Sequence, residues 1–216
     1  MLTVYLIRHA ESVGNLNNHL IGGQSNHFPL TPRGVAQARR LGQRLHREGY
    51  QFDQFYASPA VRAQDTARLV AEAIGFDPAH FRTDPRLLEQ SQGEWEGQVR
   101  AEIYTPARRA EIAANPLHFV APGGESQQQV ADRMEAWLRD VTAAAPEGQQ
   151  IAALSHGFAI KCLIARLFAI DPAQTRYLVT HNTSLTVVQG TEGVWLLDRL
   201  NDYSHIYGTE FIGHYG

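Results

Sequence analysis

The sequence predicts an α/β fold: a three-layer αβα sandwich with a mainly parallel sheet and a small helical lid. Three observations carry that expectation. Short apolar, β-branched runs alternate with longer segments of helical periodicity, the pattern of a parallel sheet covered on both faces. Pro32, Gly49, Pro59 and Gly75 fall at the edges of these runs, where they punctuate rather than interrupt. With 216 residues, 44% of them hydrophobic, the chain can bury a full core, read as one domain over residues 1–216.

Leu2 to Ile7 reads as a buried strand because it is an unbroken run of apolar and β-branched residues, and it stops abruptly at Arg8-His9. A Gly- and Asn-rich loop, 15–29, follows. Thr31 is a good N-cap and Pro32 suits the first helical position, so a helix starts there, runs to Glu48 and stops at Gly49. Phe52–Ala57 reads as a second strand. Ser58-Pro59 is a second cap-and-proline start, for a helix over Ala60–Ile74 that Gly75 ends. A third strand is expected over Phe81–Leu88, leading into Glu89. Residues 97–121 are polar, helix-prone and broken by Pro106 and Pro116, which reads as the lid. A turn at 122–126 precedes a helix over Gln127–Ala144. Ile151–Leu154 is a strand, and Ser155-His156-Gly157 turns sharply into an apolar helix. Tyr177–Thr180, Ser184–Gln189 and Val194–Leu200 read as closing strands, the last two a hairpin through Gly190–Gly193.

Composition narrows the function. A formal charge of −3 excludes a broad nucleic-acid surface while permitting a local basic pocket. The first apolar run is too short for a secretory signal, and no run approaches the ~20 residues that span a bilayer. The expected setting is cytoplasmic, with neither nucleic acid nor membrane as partner. One cysteine, Cys162, excludes an internal disulfide and a multi-cysteine metal site; its place in the apolar run 159–170 reads as core. Asn182-Thr183-Ser184 fits a glycosylation acceptor, a fortuitous match in a chain without a secretion signal.

In open α/β sheets, chemistry collects at the carboxyl ends of strands. Arg8 and His9 end the first strand, Glu89 follows the third, and Ser155-His156-Gly157 ends a later one. Arg62 opens a helix, where backbone N–H groups and the dipole already favour an anion. Each member also has a plain structural reading, a strand-end hydrogen bond for His9 or a helix cap for His156. Independent core positions would not gather two histidines, two arginines and a carboxylate at such places. A cation beside an imidazole points to a nucleophilic histidine aimed at an anionic substrate.

With these residues in place, the chain resembles the histidine phosphatase superfamily, of phosphoglycerate mutase-like fold. Arg8-His9-Ala10-Glu11-Ser12 and Asn15 correspond to its Arg-His-Gly-Glu-Ser/Thr signature and following Asn. Pro29-Leu30-Thr31-Pro32-Arg33-Gly34, the segment 58–67 with Arg62, Leu88-Glu89 with Gly93-Glu94-Trp95-Glu96-Gly97, Pro122–Ser126, Ser155-His156-Gly157, Asn182 and Leu200-Asn201-Asp202 follow in order. The resemblance implies a mechanism that the residue chemistry also supports. A neutral His9 attacks phosphorus in line, its other ring nitrogen held by a backbone carbonyl. Arg8, Arg62 and a protonated His156 meet the charge on the transferring group. Glu89 protonates the leaving oxygen and then activates water. Ser12, Asn15, Gln24 and Gly157 join Arg8, Arg62 and His156 as phosphate or substrate contacts. With three cationic side chains converging, neither a metal nor another cofactor is called for. Two departures stand out. Ala10 replaces the family's glycine, and loop 15–29 carries Gly22-Gly23 in place of a Gly-Trp pair, which leaves open whether Gln24 reaches substrate.

Other candidates have two readings each. His19, His27, His46, His80, His118, His205 and His214 lack HExxH-type spacing, against a metal site. His181 could line the pocket or hydrogen-bond a strand end. Arg100, Arg108 and Arg109 are solvated lid charges or contacts to an acidic substrate. Trp137, at helical spacing with Met134 and Val141, reads as core. Glu11 and Glu125 are pocket acids or anchors for Arg8 or a loop N–H. Three functions compete. The favoured one is a histidine acid phosphatase-type phosphoric monoester hydrolase acting on a small phosphorylated metabolite. A cofactor-dependent phosphoglycerate mutase ranks below, since 97–100 lacks the lysine-bearing block of such relatives. A noncatalytic phosphate-binding module comes last. Specificity is expected in loop 16–28 and lid 97–121, and the closing hairpin leaves an edge through which a homodimer could form.

Overall fold

A computed structural model describes residues 1–191 and 193–210; Glu192, in the expected hairpin turn, and His214 lie outside the described residues. The chain order is β1 (Leu2–Arg8), α1 (Val13–Leu16), α2 (Pro32–Arg47), β2 (Gln54–Ala57), α3 (Val61–Ile74) and β3 (Arg82–Thr83). It continues with α4 (Arg100–Ile103), α5 (Pro106–Ala114), α6 (Gln127–Ala144), β4 (Gln150–Ser155), α7 (Gly157–Leu167), β5 (Leu185–Thr191) and β6 (Val194–Asp202). The strands pair in the order β3-β2-β4-β1-β5-β6. The first four run parallel, and β5 and β6 each run antiparallel to the preceding neighbour.

Side-chain alternation along the strands makes the three layers. Val4 and Leu6 of β1, with Ile151 and Ala153 of β4, pack against Met134, Trp137 and Leu163 of α6 and α7. Ile7, with Ala152 and Leu154, packs on the opposite face against Leu41, Leu45 and Val70 of α2 and α3. Trp137 and Cys162 are core residues, as expected. No helix among the described residues is long and apolar enough to cross a membrane.

The start of α2 is fastened to the segment that follows the β1 carboxyl end. The Thr31 hydroxyl accepts the Gly34 N–H at 2.9 Å, the cap that the sequence predicts, and donates to Glu11 Oε1 at 2.8 Å. Glu11 in turn has its N–H on Gln37 Oε1 at 2.8 Å and its carbonyl on the Thr31 N–H at 3.0 Å. A Cβ at position 34 would lie 1.9 Å from the Glu11 carbonyl oxygen, so only glycine allows this approach. The Glu11 carboxylate anchors the Thr31 hydroxyl and lies 3.7 Å from Arg33, not the Arg8 or loop N–H expected of it.

The lid segment is tied along its leading edge to the loop after β1. Gly97 donates to the Ile21 carbonyl at 2.8 Å, Ile21 to Gln98 at 3.0 Å, and Arg100 to His19 at 2.8 Å, with a Leu20–Val99 bridge between them. Ile21, Trp95 and Ala121 form a small core of their own under α4 and α5.

Four expectations need correction. The third strand is not 81–88 but two residues, because Asp84 caps a 3-10 turn that Pro85 opens. Tyr177–Thr180 is no strand: Thr175–Tyr177 forms a 3-10 turn, and the β1 edge that it would need is taken by β5. Residues 15–29 are not all loop, since α1 includes Asn15 and Leu16. Ser58 is not the N-cap of α3, which is Ala60 with no side-chain bond; the Ser58 hydroxyl accepts the Ala60 N–H at 3.4 Å and also meets a histidine of the site.

Candidate active site

β1 and β4 are neighbours with Arg8 opposite Ser155, so the next residues, His9 and His156, leave the sheet side by side. Their ring centroids are 5.0 Å apart, inclined at 60°. His9 Nδ1 lies 2.7 Å from the Ala10 carbonyl. A carbonyl only accepts, so Nδ1 carries the proton and Nε2 of the neutral ring carries the lone pair. That lone pair accepts Arg62 Nε–H at 3.3 Å. The His9 carbonyl is held by Asn182 Nδ2 at 2.9 Å, and the Ala10 N–H by Thr66 Oγ1 at 3.0 Å. Ala10 is fully buried and outside the left-handed region, so its methyl group is accommodated without backbone strain. Asn182, 1% exposed, is beyond the reach of a glycan.

Two guanidinium groups surround the imidazoles. Arg62, buried in the first turn of α3, donates from Nη1 to the Ser25 carbonyl and from Nη2 to the Gln24 carbonyl, both at 3.0 Å. One further N–H remains on each terminal nitrogen. Arg8 donates from Nη1 to the Thr180 carbonyl at 2.6 Å. His156 Nε2 sits 2.8 Å from Ser58 Oγ. Arg8 Nε and His156 Nδ1 are buried without a hydrogen-bond partner among the described residues. Buried polar atoms are rarely left so, and two beside the His9 ring fit an anion that would satisfy both. Gly157 lets α7 come this close: a Cβ there would stand 3.2 Å from Thr180 Oγ1 and 3.3 Å from Arg8 Nε.

Glu89 reaches the site by a route the sequence does not suggest. It follows the 3-10 turn Pro85–Leu87 rather than a strand, and its carboxylate sits on the α7 N-terminus. Oε2 accepts the Phe158 N–H and Oε1 the Ala159 N–H, both at 3.0 Å, and Oε1 also accepts the Gln90 N–H at 2.9 Å. Arg8, His9, Ser12, Asn15, Arg62 and Glu89 line one cavity of about 360 Å³. Ser12 donates its N–H and hydroxyl to Asn15 Oδ1, at 3.0 and 3.3 Å. The Gln24 side chain points instead to the Glu89 carbonyl, at 3.2 Å.

Burial dominates the site's electrostatics. It pushes Arg8 down to about 10, with Glu89 opposing the shift and Arg62 adding to it. It also lowers Arg62, whose charge Glu89 and Glu96 support. Burial, then Arg62 and Arg8, holds His9 well below the ordinary imidazole range, which keeps Nε2 available. His156 is held equally low, by burial and then by Arg62, His9, Arg133 and Arg8. The direction favours the neutral form of His156, where the sequence leads one to expect the protonated form.

Comparison with known proteins matches this geometry to a family. The sequence profile of the histidine phosphatase superfamily (branch 1) fits residues 4–203. The chain belongs to that superfamily. Over 214 residues it is 34% identical to a probable phosphoglycerate mutase, GpmB, of Yersinia enterocolitica, covering 95% of each chain. Among solved structures it is similar to mycobacterial glucosyl-3-phosphoglycerate phosphatase, at 27% identity and a TM-score of 0.79 over 92% of this chain and 98% of that one. It is also similar to the phosphoserine phosphatase of Entamoeba histolytica in complex with 3-phosphoglyceric acid, at 27% identity and a TM-score of 0.81 over 95% and 100%.

In this histidine phosphatase superfamily member, Arg133, which sequence reasoning missed, holds the site through backbone contacts. Arg133 on α6 donates from Nη1 to the Arg86 and Leu88 carbonyls, at 2.6 and 2.7 Å, and from Nη2 to the Glu89 carbonyl at 3.0 Å. Glu125 pairs with Arg133 Nε at 2.9 Å and accepts the Ser91 N–H at 2.9 Å, the anchoring one of its two readings. His181 is fixed by Asn201 and stacked on Tyr203 with centroids 3.8 Å apart. Of the lid arginines, Arg108 pairs with Glu111 and lies over Trp95, and Arg109 donates to the Tyr104 carbonyl. Arg100 donates to the Asn18 and Leu20 carbonyls and lines the same cavity as His9 and Glu89.

Proposed function

We propose that the protein is a phosphomonoesterase that hydrolyses small phosphorylated metabolites through a phosphohistidine on His9, without a metal ion or other cofactor. The single observation behind this is the His9 ring. Its proton is committed to the Ala10 carbonyl, and its lone pair faces a guanidinium beside a cavity that Glu89 also lines. In the first step Nε2 forms a bond to phosphorus, the ester P–O bond breaks, and Glu89 gives its proton to the leaving oxygen. In the second, Glu89 takes a proton from water, the water oxygen bonds to phosphorus, and the N–P bond breaks to release inorganic phosphate. Arg8 and Arg62 meet the charge that spreads over the equatorial oxygens, the term on which phosphoryl transfer chiefly depends.

Some relatives are named for phosphoglycerates or phosphoserine, which carry a carboxylate, and others for α-ribazole phosphate, which does not; Arg100 is the lid cation that lines the cavity and would meet a carboxylate. Likeness to GpmB supports a second reading, phosphoglycerate mutase. A mutase must keep water from its phosphohistidine, and this lid consists of two short helices. The test is hydrolysis of p-nitrophenyl phosphate in EDTA, beside isomerisation of 3-phosphoglycerate primed with 2,3-bisphosphoglycerate. Chelator-resistant hydrolysis that falls about a thousandfold or more in His9→Ala supports the phosphatase. Fast isomerisation with little hydrolysis would replace it by the mutase, and phosphate binding without either turnover by a binding module.

A further inference from the structure

Loop 22–25 lies between two side chains of opposite charge. On one side, the carbonyls of Gln24 and Ser25 accept Arg62. On the other, the Gln24 N–H donates to Glu96 Oε1 at 2.9 Å and the Ser25 N–H to Glu96 Oε2 at 3.0 Å. The Gln92 N–H adds a third bond to Oε1 at 3.0 Å and holds the carboxylate at the base of the lid. One peptide unit, Gln24–Ser25, spans both charges, with its N–H on Glu96 and its C=O on Arg62. A peptide polarised from both ends strengthens each of its bonds.

The backbone is shaped for this contact. Gly23 and Ser25 have φ of 55° and 24°, which turns successive N–H groups to one side as an anion-binding nest. A Cβ at Gly23 would stand 2.2 Å from Glu96 Oε1. Ser25 holds an unfavourable left-handed conformation in which its N–H faces Glu96 and its hydroxyl donates to the Gly22 carbonyl.

We propose that Glu96 is a positioning residue for the reaction: its carboxylate folds loop 23–25, whose carbonyls aim the Arg62 guanidinium at His9 and the phosphoryl group. The kinetic side of this proposal rests on the phosphatase reading; the geometric side does not. Glu96→Gln keeps the size but sets an amide N–H₂ against a backbone N–H, and Gly23→Ala drives a methyl group into the same carboxylate. Each is expected to lower kcat/KM for p-nitrophenyl phosphate about 10- to 100-fold, since small displacements of a positioned group cost that much. The double variant is expected to be no worse than the worse single one, because both break the same contact. Glu94→Gln, an exposed acid nearby, serves as the control and should match the parent.

The readout independent of turnover is the Arg62 Nε–H resonance in NMR. It should be displaced and exchange-protected in the parent by its bond to His9, and move to the solvated-arginine position in Glu96→Gln and Gly23→Ala. A purely structural Glu96 would lower the melting temperature while leaving that resonance, and kcat per folded molecule, as in the parent; this result overturns the proposal, as do additive losses. If Glu96→Gln fails to fold, Gly23→Ala carries the same comparison. A parent that turns over no phosphate ester would sink the phosphatase reading, while the NMR comparison would still decide the role of Glu96.

Discussion

At the scale of residues, the site is governed by two imidazoles held neutral in a cationic setting. Burial and the neighbouring guanidinium groups lower both histidines, so the proposed nucleophile His9 keeps its lone pair under conditions that protonate an ordinary imidazole. The acid limb of kcat/KM for an aryl phosphate should therefore fall below the unperturbed histidine value of about 6.5. A limb at that value or above would show that His9 titrates like a solvated ring. Arg8, His9, Arg62, Glu89 and His156 were legible in the sequence because each is a chemically distinctive side chain at a place where α/β folds put chemistry. Ser58, Glu96 and Arg133 were not. Glu96 and Arg133 bond chiefly to main-chain groups, which any residue supplies, and Ser58 carried the competing signal of a helix cap.

At the scale of elements, local chemistry and tertiary contacts divide the credit. β1, β4, α2, α3 and α6 followed from periodicity, and α2 also from its Thr31-Pro32 start. β3 was overestimated because apolar residues around 81–88 mask the Asp84-Pro85 cap that ends it. The segment 177–180 has strand-like residues, but the neighbour it would pair with is already taken, a fact no local window contains. The Glu11–α2 junction gives an element-level test. Gly34→Ala should destabilise the protein by about 2–3 kcal/mol, the cost of overpacking a tight contact, measured by urea unfolding. A loss under about 0.5 kcal/mol, the scale of an ordinary surface change, would mean that the helix start is not pressed against the nucleophile loop.

For the molecule as a whole, buried neutral histidines make stability depend on pH. His9 and His156 are held well below their ordinary value and His205 is pushed down to about 4, by burial first in every case. The unfolded chain takes up protons on these rings below about pH 6.5, while the folded chain resists. Stability from this source is full above that pH and is lost as pH falls towards the lower folded values. The melting temperature should drop between pH 7 and pH 5, and inorganic phosphate should raise it by engaging Arg8 Nε and His156 Nδ1. A flat profile across that range, or no response to phosphate, would contradict the description of the site.

The backbone ladder between residues 19–21 and 97–100 bears on how such a protein can change its diet. Because the lid is stitched to the loop whose carbonyls hold Arg62, the two form one mechanical unit. A new lid grafted alone would arrive with the wrong seam and disturb the nucleophile's neighbour. Exchange of both strands of the seam together would carry a new leaving-group preference into an undisturbed phosphate site.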